Sequence, residues 1–276
     1  MRKQVSVFLA GVPSVAIPTQ EWRKRQTFRI AGRKPKVPSD KLFESFAGNE
    51  TGWLRGRVKA ALEGSVALLR RDISAIVTDG GEFHYDAPRK FEGSSGLDEG
   101  EMAALAREFS QAASASDLAI LLGGDHAGGI LLYALPGKVA RFDEHSDCCA
   151  NPLACPRGEI ARNNYVCAAV RNGFKKPEEI EGVGIREGAA FHPFVQRASG
   201  ARVLDIDLDV LAEKFGIETE YGKGKLSPDD LVSAIRTNSP AAIGIFEAAK
   251  GDAKAAELVE RLCVEAVAAV AKKKRR

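Results

Sequence analysis

Cysteine and long apolar runs are both scarce in this chain of 276 residues. Its five cysteines are too few for the disulfide-stapled folds of small secreted domains, and their odd number favours a reducing compartment. The longest apolar runs, such as residues 118–122 and 241–246, are far shorter than the roughly 20 residues that span a bilayer. The N-terminal stretch is interpreted as a first strand and not as a signal peptide. We therefore predict a cytoplasmic protein that has no membrane partner.

A strong charge of one sign is lacking as well, because the formal net charge is only +3. Five basic residues end the chain at 272–276, so the rest of the sequence is weakly acidic. A terminal block of like charge is typically a solvated tail. Aromatic residues make up only 7% of the chain and are sparse beside its basic stretches. These observations predict no nucleic-acid partner.

Short apolar runs alternate with longer segments of helical periodicity along most of the chain. This alternation predicts an α/β fold with three αβα layers and a mostly parallel central sheet. Residues 13–52 are rich in Pro, Gly, Lys and Arg and predict an irregular excursion within a single domain, residues 1–276. The predicted strands are 5–10, 74–78, 118–122, 138–142, 180–185, 202–206 and 241–246, and the predicted helices are 56–71, 99–113, 160–172, 194–199, 228–237 and 253–273.

Polar motifs follow three of the predicted strands. They read Gly-Gly-Asp-His at 123–126, Asp-Glu-His-Ser-Asp at 143–147 and Asp-Ile-Asp at 205–207. Ligands gather at the carboxyl ends of parallel strands, so these side chains are expected to lie close together. Two of the four histidines in the chain fall in these motifs. The candidate ligands of a metal are His126, Asp143, His145, Asp147, Asp205 and Asp207.

Several carboxylates that face one space repel one another unless a cation compensates them. Oxygen and imidazole ligands without thiolate favour Mn²⁺ over Zn²⁺, Fe²⁺ or Co²⁺. Six protein ligands are more than one catalytic ion normally takes, so the motifs predict two Mn²⁺ ions per chain.

The three motifs, in this order after successive strands, resemble those of the arginase/agmatinase (ureohydrolase) family. Segments 11–13, 76–81 and 243–247 are similar to other strand ends of that family, so the resemblance extends over nearly the whole chain. It implies a hydrolase of the C–N bond of a linear amidine or guanidino substrate, such as arginine or agmatine. It also implies homotrimers or homohexamers.

The resemblance further implies a role for each ligand. One ion would be held by His126, Asp143, Asp147 and Asp205, and the other by Asp143, His145, Asp205 and Asp207. A hydroxide between the two ions would be the nucleophile, and Asp147 would hydrogen-bond it. Glu247, which ends the strand at 241–246, is expected to face the substrate guanidinium and to take part in catalysis.

The loop after Asp147 departs from the family pattern because it contains no histidine, so the group that moves the proton stays open. Asn151 and, beyond the loop, Glu187 are candidate substrate-binding residues, and Tyr165 is a candidate for the space of the missing histidine. Asp209 is expected to be solvated or to lie behind the metal ligands. The loop carries Cys148, Cys149 and Cys155, for which a packed wall, a redox-sensitive loop, a soft-metal site and a disulfide all remain open.

Two alternative functions remain alongside this interpretation. The altered loop permits a hydrolase of a different C–N bond, in formiminoglutamate or a guanidino acid. The chain is also compatible with a metal-retaining binding protein that has lost turnover.

Overall fold

Eight parallel strands form the central sheet of the protein in a computed structural model. The structure describes residues 2–12, 51–83, 89–91, 94–124, 126–148, 151, 155, 157–160, 164–186, 192–219 and 224–274. In chain order the strands are β1 (Lys3–Val12), β2 (Ile73–Glu82), β3 (Arg89–Phe91), β4 (Ser94–Asp98), β5 (Leu118–Gly123), β6 (Val139–Phe142), β7 (Glu159–Ile160), β8 (Ile180–Val183), β9 (Phe194–Val195), β10 (Val203–Asp207) and β11 (Ala242–Phe246).

The order across the large sheet is β2-β1-β5-β11-β10-β6-β8-β9, and every neighbouring pair is parallel. Strands β3, β4 and β7 form a separate antiparallel sheet. In β5, β6, β10 and β11 every residue is buried. Strands covered on both faces lose the alternation of apolar and polar residues, which explains their continuous apolar sequences.

Helices cover both faces of the large sheet, in two groups. They are α1 (Gly52–Glu63), α2 (Val66–Leu69), α3 (Glu99–Ala113), α4 (Ile130–Tyr133), α5 (Tyr165–Arg171), α6 (Pro228–Asn238) and α7 (Ala253–Lys273). One apolar core joins the sheet to α1, α6 and α7, and a second core joins it to α3, α4 and α5. The predicted three-layer αβα fold with a mostly parallel sheet is therefore confirmed. No helix among these residues is long and apolar enough to cross a membrane.

Side-chain caps fix where several helices begin. The Asp98 carboxylate accepts a hydrogen bond from the backbone of Glu101 and starts α3. Ser227 and Asp230 cap each other's backbone at the start of α6, where Pro228 takes the first helical position. Such caps satisfy backbone donors that a helix end leaves open.

Several predicted boundaries are wrong. The predicted helix at 194–199 is instead the edge strand β9, because the backbone of Phe194–Val195 pairs with β8. The predicted helix at 160–172 begins only at Tyr165, since Ile160 pairs with Leu97 in the small sheet. The predicted strand at 180–185 stops at Val183, where Gly184 adopts a φ of +84° that a strand does not permit.

Two further segments also differ from the prediction. The helix predicted at 56–71 begins at Gly52, stops at Glu63 and resumes over Val66–Leu69. The glycines and serines at 93–96 predict a loop, but residues 94–96 belong to strand β4. Most of the predicted excursion, residues 13–50, lies outside the described residues, as do residues 275–276 of the basic tail.

The sheet order explains how distant motifs meet. Strands β5, β11, β10 and β6 are consecutive neighbours, so their carboxyl ends lie side by side. His126 follows β5, Glu247 follows β11, Asp207 ends β10 and Asp143 follows β6. The topology therefore places all three motifs and Glu247 at one edge of the sheet.

Phe109 provides a test of the second core. Its ring is fully buried and lies 5.9 Å and 5.4 Å from the ring centroids of Phe8 and Phe83. We expect Phe109→Ala to lower the free energy of unfolding by about 3–5 kcal/mol, because it removes a buried ring and leaves a cavity. Phe194, which is 49% exposed, offers a matched control. In urea unfolding, Phe194→Ala should lower the free energy of unfolding by less than half as much as Phe109→Ala. Equal losses of unfolding free energy in the two variants would contradict the assignment of Phe109 to this core.

Candidate metal centre

His126 lies at the centre of the carboxyl edge. It opens a 3₁₀ turn, His126–Gly129, and is only 1% exposed. Its ring packs 4.9 Å from those of Phe246 and Tyr165. Gly123 leaves room for this arrangement, because a Cβ at that position would lie 2.2 Å from the Phe246 ring. Asp125, beside His126 in the motif, lies outside the described residues.

The Nδ1 atom of His126 faces oxygens of three carboxylates, two from the motif at 143–147 and one from the end of β10. It lies 2.9 Å from Asp207 Oδ2, 3.0 Å from Asp143 Oδ2 and 3.4 Å from Asp147 Oδ2. None of these contacts is aligned as a hydrogen bond, so Nδ1 is a buried polar atom without a hydrogen-bond partner. A buried nitrogen that points into a group of carboxylates is typical of a metal ligand.

The other ring nitrogen of His126 is held by Asp205. Nε2 lies 2.9 Å from Asp205 Oδ1, and the Tyr133 and Tyr165 hydroxyls donate to Asp205 Oδ2 at 3.1 Å and 2.9 Å. An ionised carboxylate only accepts hydrogen bonds, so Asp205 favours the tautomer that carries its proton on Nε2. In the neutral imidazole, the form that ligates a metal, that tautomer leaves the lone pair of Nδ1 directed at the other carboxylates.

Arg141 is a cation buried beneath the same carboxylates, and it is fully inaccessible to solvent. Its Nη2 donates to Asp143 Oδ2 and, at 2.8 Å, to Asp147 Oδ2. Its Nη1 donates to the backbone oxygen of Ser146 and its Nε to the Tyr165 hydroxyl, at 2.6 Å and 2.9 Å. Every nitrogen of the guanidinium is therefore bound to the protein.

Sequence reasoning missed Arg141, although a signal was present. Arg141 stands two residues before Asp143 on β6 and pairs in register with Asp205 on β10. Side chains two residues apart in a strand share a face, and in-register neighbours on adjacent strands do as well. An arginine on the ligand-bearing face of the strand was thus visible in the sequence.

Three groups of side chains bring enough ligand atoms together to hold an ion. The inner group is His126, Asp143 and Asp147; the outer group is Asp143, His145 and Asp209; and the acidic group is Asp207, Asp209 and Glu247. In the outer group, His145 Nδ1 lies 2.7 Å from Asp209 Oδ2 and 3.6 Å from Asp143 Oδ1. The His145 side chain is 32% exposed and marks the solvent-facing side of the centre.

Asp209 is buried, so the expectation of a solvated carboxylate is wrong. It takes part in two of the three groups and also accepts a hydrogen bond from the backbone of Glu144 at 3.0 Å. Asp205, predicted to bridge two ions, belongs to none of the three groups in the described structure, because its oxygens bind His126 and the two tyrosines.

Two predicted catalytic residues have unusual backbones. Asp147 has a φ of +42° and Glu247 a φ of +62°, in the left-handed region that non-glycine residues rarely adopt. Such conformations cost roughly 1–3 kcal/mol and persist where the surroundings impose them. Both residues follow strands at the carboxyl edge, so this local strain orients carboxylates toward the centre.

The centre holds more negative than positive charge. Five aspartates (Asp143, Asp147, Asp205, Asp207 and Asp209) face one guanidinium and two imidazoles, so with every group charged at least two negative charges would stay uncompensated. Burial raises the pKa of Asp207 to about 6, and the charge of Asp143 adds to this effect. Burial and the neighbouring Asp207 raise the pKa of Asp209 well above its usual range.

The pKa values of His126 and Asp143 shift so as to favour the charged form of each group. Burial opposes protonation of His126, but the carboxylates of Asp205 and Asp207 outweigh it and raise its pKa well above the usual range. Burial would also raise the pKa of Asp143, but the Arg141 guanidinium outweighs it and holds that pKa well below the usual range. The residues present fit a divalent cation, since the Nδ1 atom of His126 lacks a hydrogen-bond partner and the carboxylates lack compensation.

Among the described residues, Asn151, Cys148 and Cys155 belong to none of these groups. Asn151 is exposed on the loop after Asp147. Glu187 and Cys149 lie outside the described residues. Cys155 is disulfide-bonded, but Cys148 is a buried thiol and is not its partner. The Sγ atom of Cys155 lies 2.9 Å from that of Cys167 on α5, so this part of the loop packs against the second core.

Comparisons with known proteins agree with the topology. No protein-family model matches the chain, and no curated protein matches its sequence. Solved structures do match. A hypothetical agmatinase from Burkholderia thailandensis has a TM-score of 0.60 at 17% identity, over 99% of this chain and 88% of that chain.

Two other solved structures match to a similar degree. Formimidoylglutamase from Bacillus subtilis has a TM-score of 0.62 at 14% identity, over 96% of this chain and 87% of that one. Arginase from Bacillus caldovelox has a TM-score of 0.54 at 15% identity, over 99% and 97%. The chain therefore has the α/β fold that arginases, agmatinases and formimidoylglutamase share.

Proposed function

We propose that this protein is a divalent-metal-dependent hydrolase that cleaves a C–N bond of a linear amidine or guanidino compound. The observation that carries the proposal is the convergence of the buried His126 Nδ1 with oxygens of Asp143, Asp147 and Asp207. The solved structures of similar fold include hydrolases named for such substrates. Fold likeness does not set the reaction, so the proposal rests chiefly on the site.

The inner and outer groups are the two candidate places for the metal, and Mn²⁺ is the proposed ion because the ligands are oxygen and imidazole. A bound divalent ion lowers the pKa of a coordinated water toward neutrality and so supplies a nucleophile without a side-chain base. The sequence predicts two ions per chain, and that number stays a prediction.

The side chains of the centre would carry the remaining tasks. Asp147, whose side chain is 12% exposed, borders the inner group and would orient the attacking water by accepting its hydrogen bond. Glu247 lies with Asp207 and Asp209 and would bind the positively charged end of the substrate. The excess of negative charge at this edge favours a cationic amidinium or guanidinium over an acidic substrate.

Two observations favour specific alternatives. The absence of histidine from the loop after Asp147 leaves room for a different amidine, such as formiminoglutamate or a guanidino acid. The presence of Arg141 within the ligand groups favours a binding protein that retains metal and has lost turnover.

A substrate panel separates these functions. We expect the metal-free chain, once loaded with Mn²⁺, to release product from at least one of arginine, agmatine, formiminoglutamate and simple guanidino acids. Asp143→Asn removes a charge from two ligand groups while keeping the shape, so it should lower turnover at least about 1000-fold, or roughly 4 kcal/mol of barrier. Urea, ammonia and formamide are measured together. Thermal shifts with these compounds but no product would instead favour the binding protein.

Glu247→Gln tests substrate binding. The change keeps the side-chain shape and removes one charge from the acidic group, so KM for a cationic substrate should rise at least about tenfold, equivalent to roughly 1.4 kcal/mol. Metal content should stay unchanged, which elemental analysis checks. Glu257→Gln, at an exposed position of α7, is the matched control and should leave KM unaltered. A normal KM in Glu247→Gln would exclude this role.

Assembly is the remaining proposal. We propose that the chain forms homotrimers or homohexamers, as the sequence resemblance implies. Sedimentation equilibrium at micromolar concentration measures the mass directly, and a mass of one chain would contradict the proposal.

A further inference from the structure

Arg141 occupies the atoms that the inner group offers to an ion. Its Nη2 donates to Asp143 Oδ2 and Asp147 Oδ2. These are the two oxygens that lie closest to His126 Nδ1 from Asp143 and Asp147. An ion in the inner group and the guanidinium would therefore compete for the same oxygens, and both are positively charged.

The guanidinium is fixed in this position. Nε is held by the Tyr165 hydroxyl and Nη1 by the backbone oxygen of Ser146, and the guanidinium carbon lies 5.6 Å from the centre of the Tyr165 ring. Tyr165 is itself held, since its hydroxyl donates to Asp205 Oδ2. The side chain is completely buried, so no solvent-exposed conformation is available without opening the second core. Arginine also keeps its charge at every accessible pH.

The outer group is not held by Arg141, although His145 Nδ1 lies against Asp209 Oδ2 and the backbone of His145 donates to Asp143 Oδ1. Its facing atoms are Asp143 Oδ1, His145 Nδ1 and Asp209 Oδ2, and Arg141 contacts none of these atoms in the described structure. Asp143 therefore presents one oxygen to the guanidinium and the other toward His145. His145 is partly exposed, which gives an ion a route from solvent to this side of the centre.

We infer that Arg141 is a built-in cation that takes the place of one of the two expected ions, so that the centre binds a single divalent ion, at the outer group. Arg141 would act as a positioning residue that fixes Asp143 and Asp147 with a charge that cannot dissociate. This inference deepens the proposed function and rests on its metal requirement.

Metal counting on the intact chain tests the inference. The purified protein is freed of metal and titrated with MnCl₂ alone, and the bound ion is counted by calorimetry and elemental analysis. The wild-type chain should bind one Mn²⁺ tightly. Two Mn²⁺ ions bound with similar affinity would overturn the inference.

A matched pair of ligand variants locates the ion. His145→Asn alters only the outer group and should weaken Mn²⁺ binding by at least about tenfold, whereas Asp147→Asn alters only the inner group and should change it by less than roughly threefold. The reverse pattern would place the ion in the inner group and overturn the inference.

Variants of Arg141 test whether its positive charge limits the chain to one bound ion. Arg141→Met removes the charge and should raise the count to two Mn²⁺ per chain, whereas Arg141→Lys keeps the charge and should leave it at one. A count of one in a folded Arg141→Met chain would overturn the role of the charge. Thermal unfolding would reveal whether Arg141→Met fails to fold. In that case the number of Mn²⁺ ions bound by the wild-type chain and the variants His145→Asn and Asp147→Asn decide whether the inference holds.

The number of bound Mn²⁺ ions and the turnover of amidines together distinguish failure of this inference from failure of the proposed function. Two bound Mn²⁺ ions together with turnover of an amidine would overturn the inference and leave the function standing. One Mn²⁺ at the outer group without turnover of any amidine would do the reverse. A chain that binds no Mn²⁺ would overturn both.

Discussion

Five aspartates lie side by side at the carboxyl edge of the central sheet, four of them buried and Asp147 partly buried, with too few cations to neutralise them all. Like charges at such short range are costly in a low-dielectric interior, so every neighbouring element must contribute a donor or a cation. Arg141 comes from the strand below, Tyr133 and Tyr165 from the helices on one face, and the two histidines from the motifs. Electrostatic compensation thereby links α4, α5, β6 and β10.

This constraint gives the centre two unlike sides. On the inner side, Asp143 and Asp147 are bound by a permanent cation in a layer closed by tyrosines and apolar side chains. On the outer side, Asp209 and His145 face each other near solvent. An ion would reach the outer side more readily, because His145 is partly exposed to solvent there.

The arginase-like fold supplies the edge at which these side chains meet, but it does not dictate the chemistry. Parallel strands that end together bring loops from distant parts of the sequence within reach of one ligand. Several activities are named among solved structures that share this fold at 12–17% identity. What the chain binds therefore depends on the side chains at this edge and not on the fold alone.

Much of the architecture was visible in the sequence. Buried parallel strands have continuous apolar sequences, and the alternation of such runs with helical segments restricts the topology to a few solutions. Predictions failed where the local pattern is weak: the two-residue strands β7 and β9 form only because a partner strand supplies their hydrogen bonds. The intrinsic secondary-structure propensity of two residues is too weak to outweigh this pairing between strands.

The sequence by itself determined which residue types end the strands, and hence a cluster of carboxylates and imidazoles. Only the tertiary structure decided how these groups share their partners. Asp205 accepts from His126 Nε2, Tyr133 and Tyr165, and its role as a bridge between two ions stays a prediction, while Asp209 takes part in two ligand groups. The physical reason is that one carboxylate has only a few acceptor sites, and their allocation depends on donors that the fold brings from Tyr133, Arg141 and Tyr165.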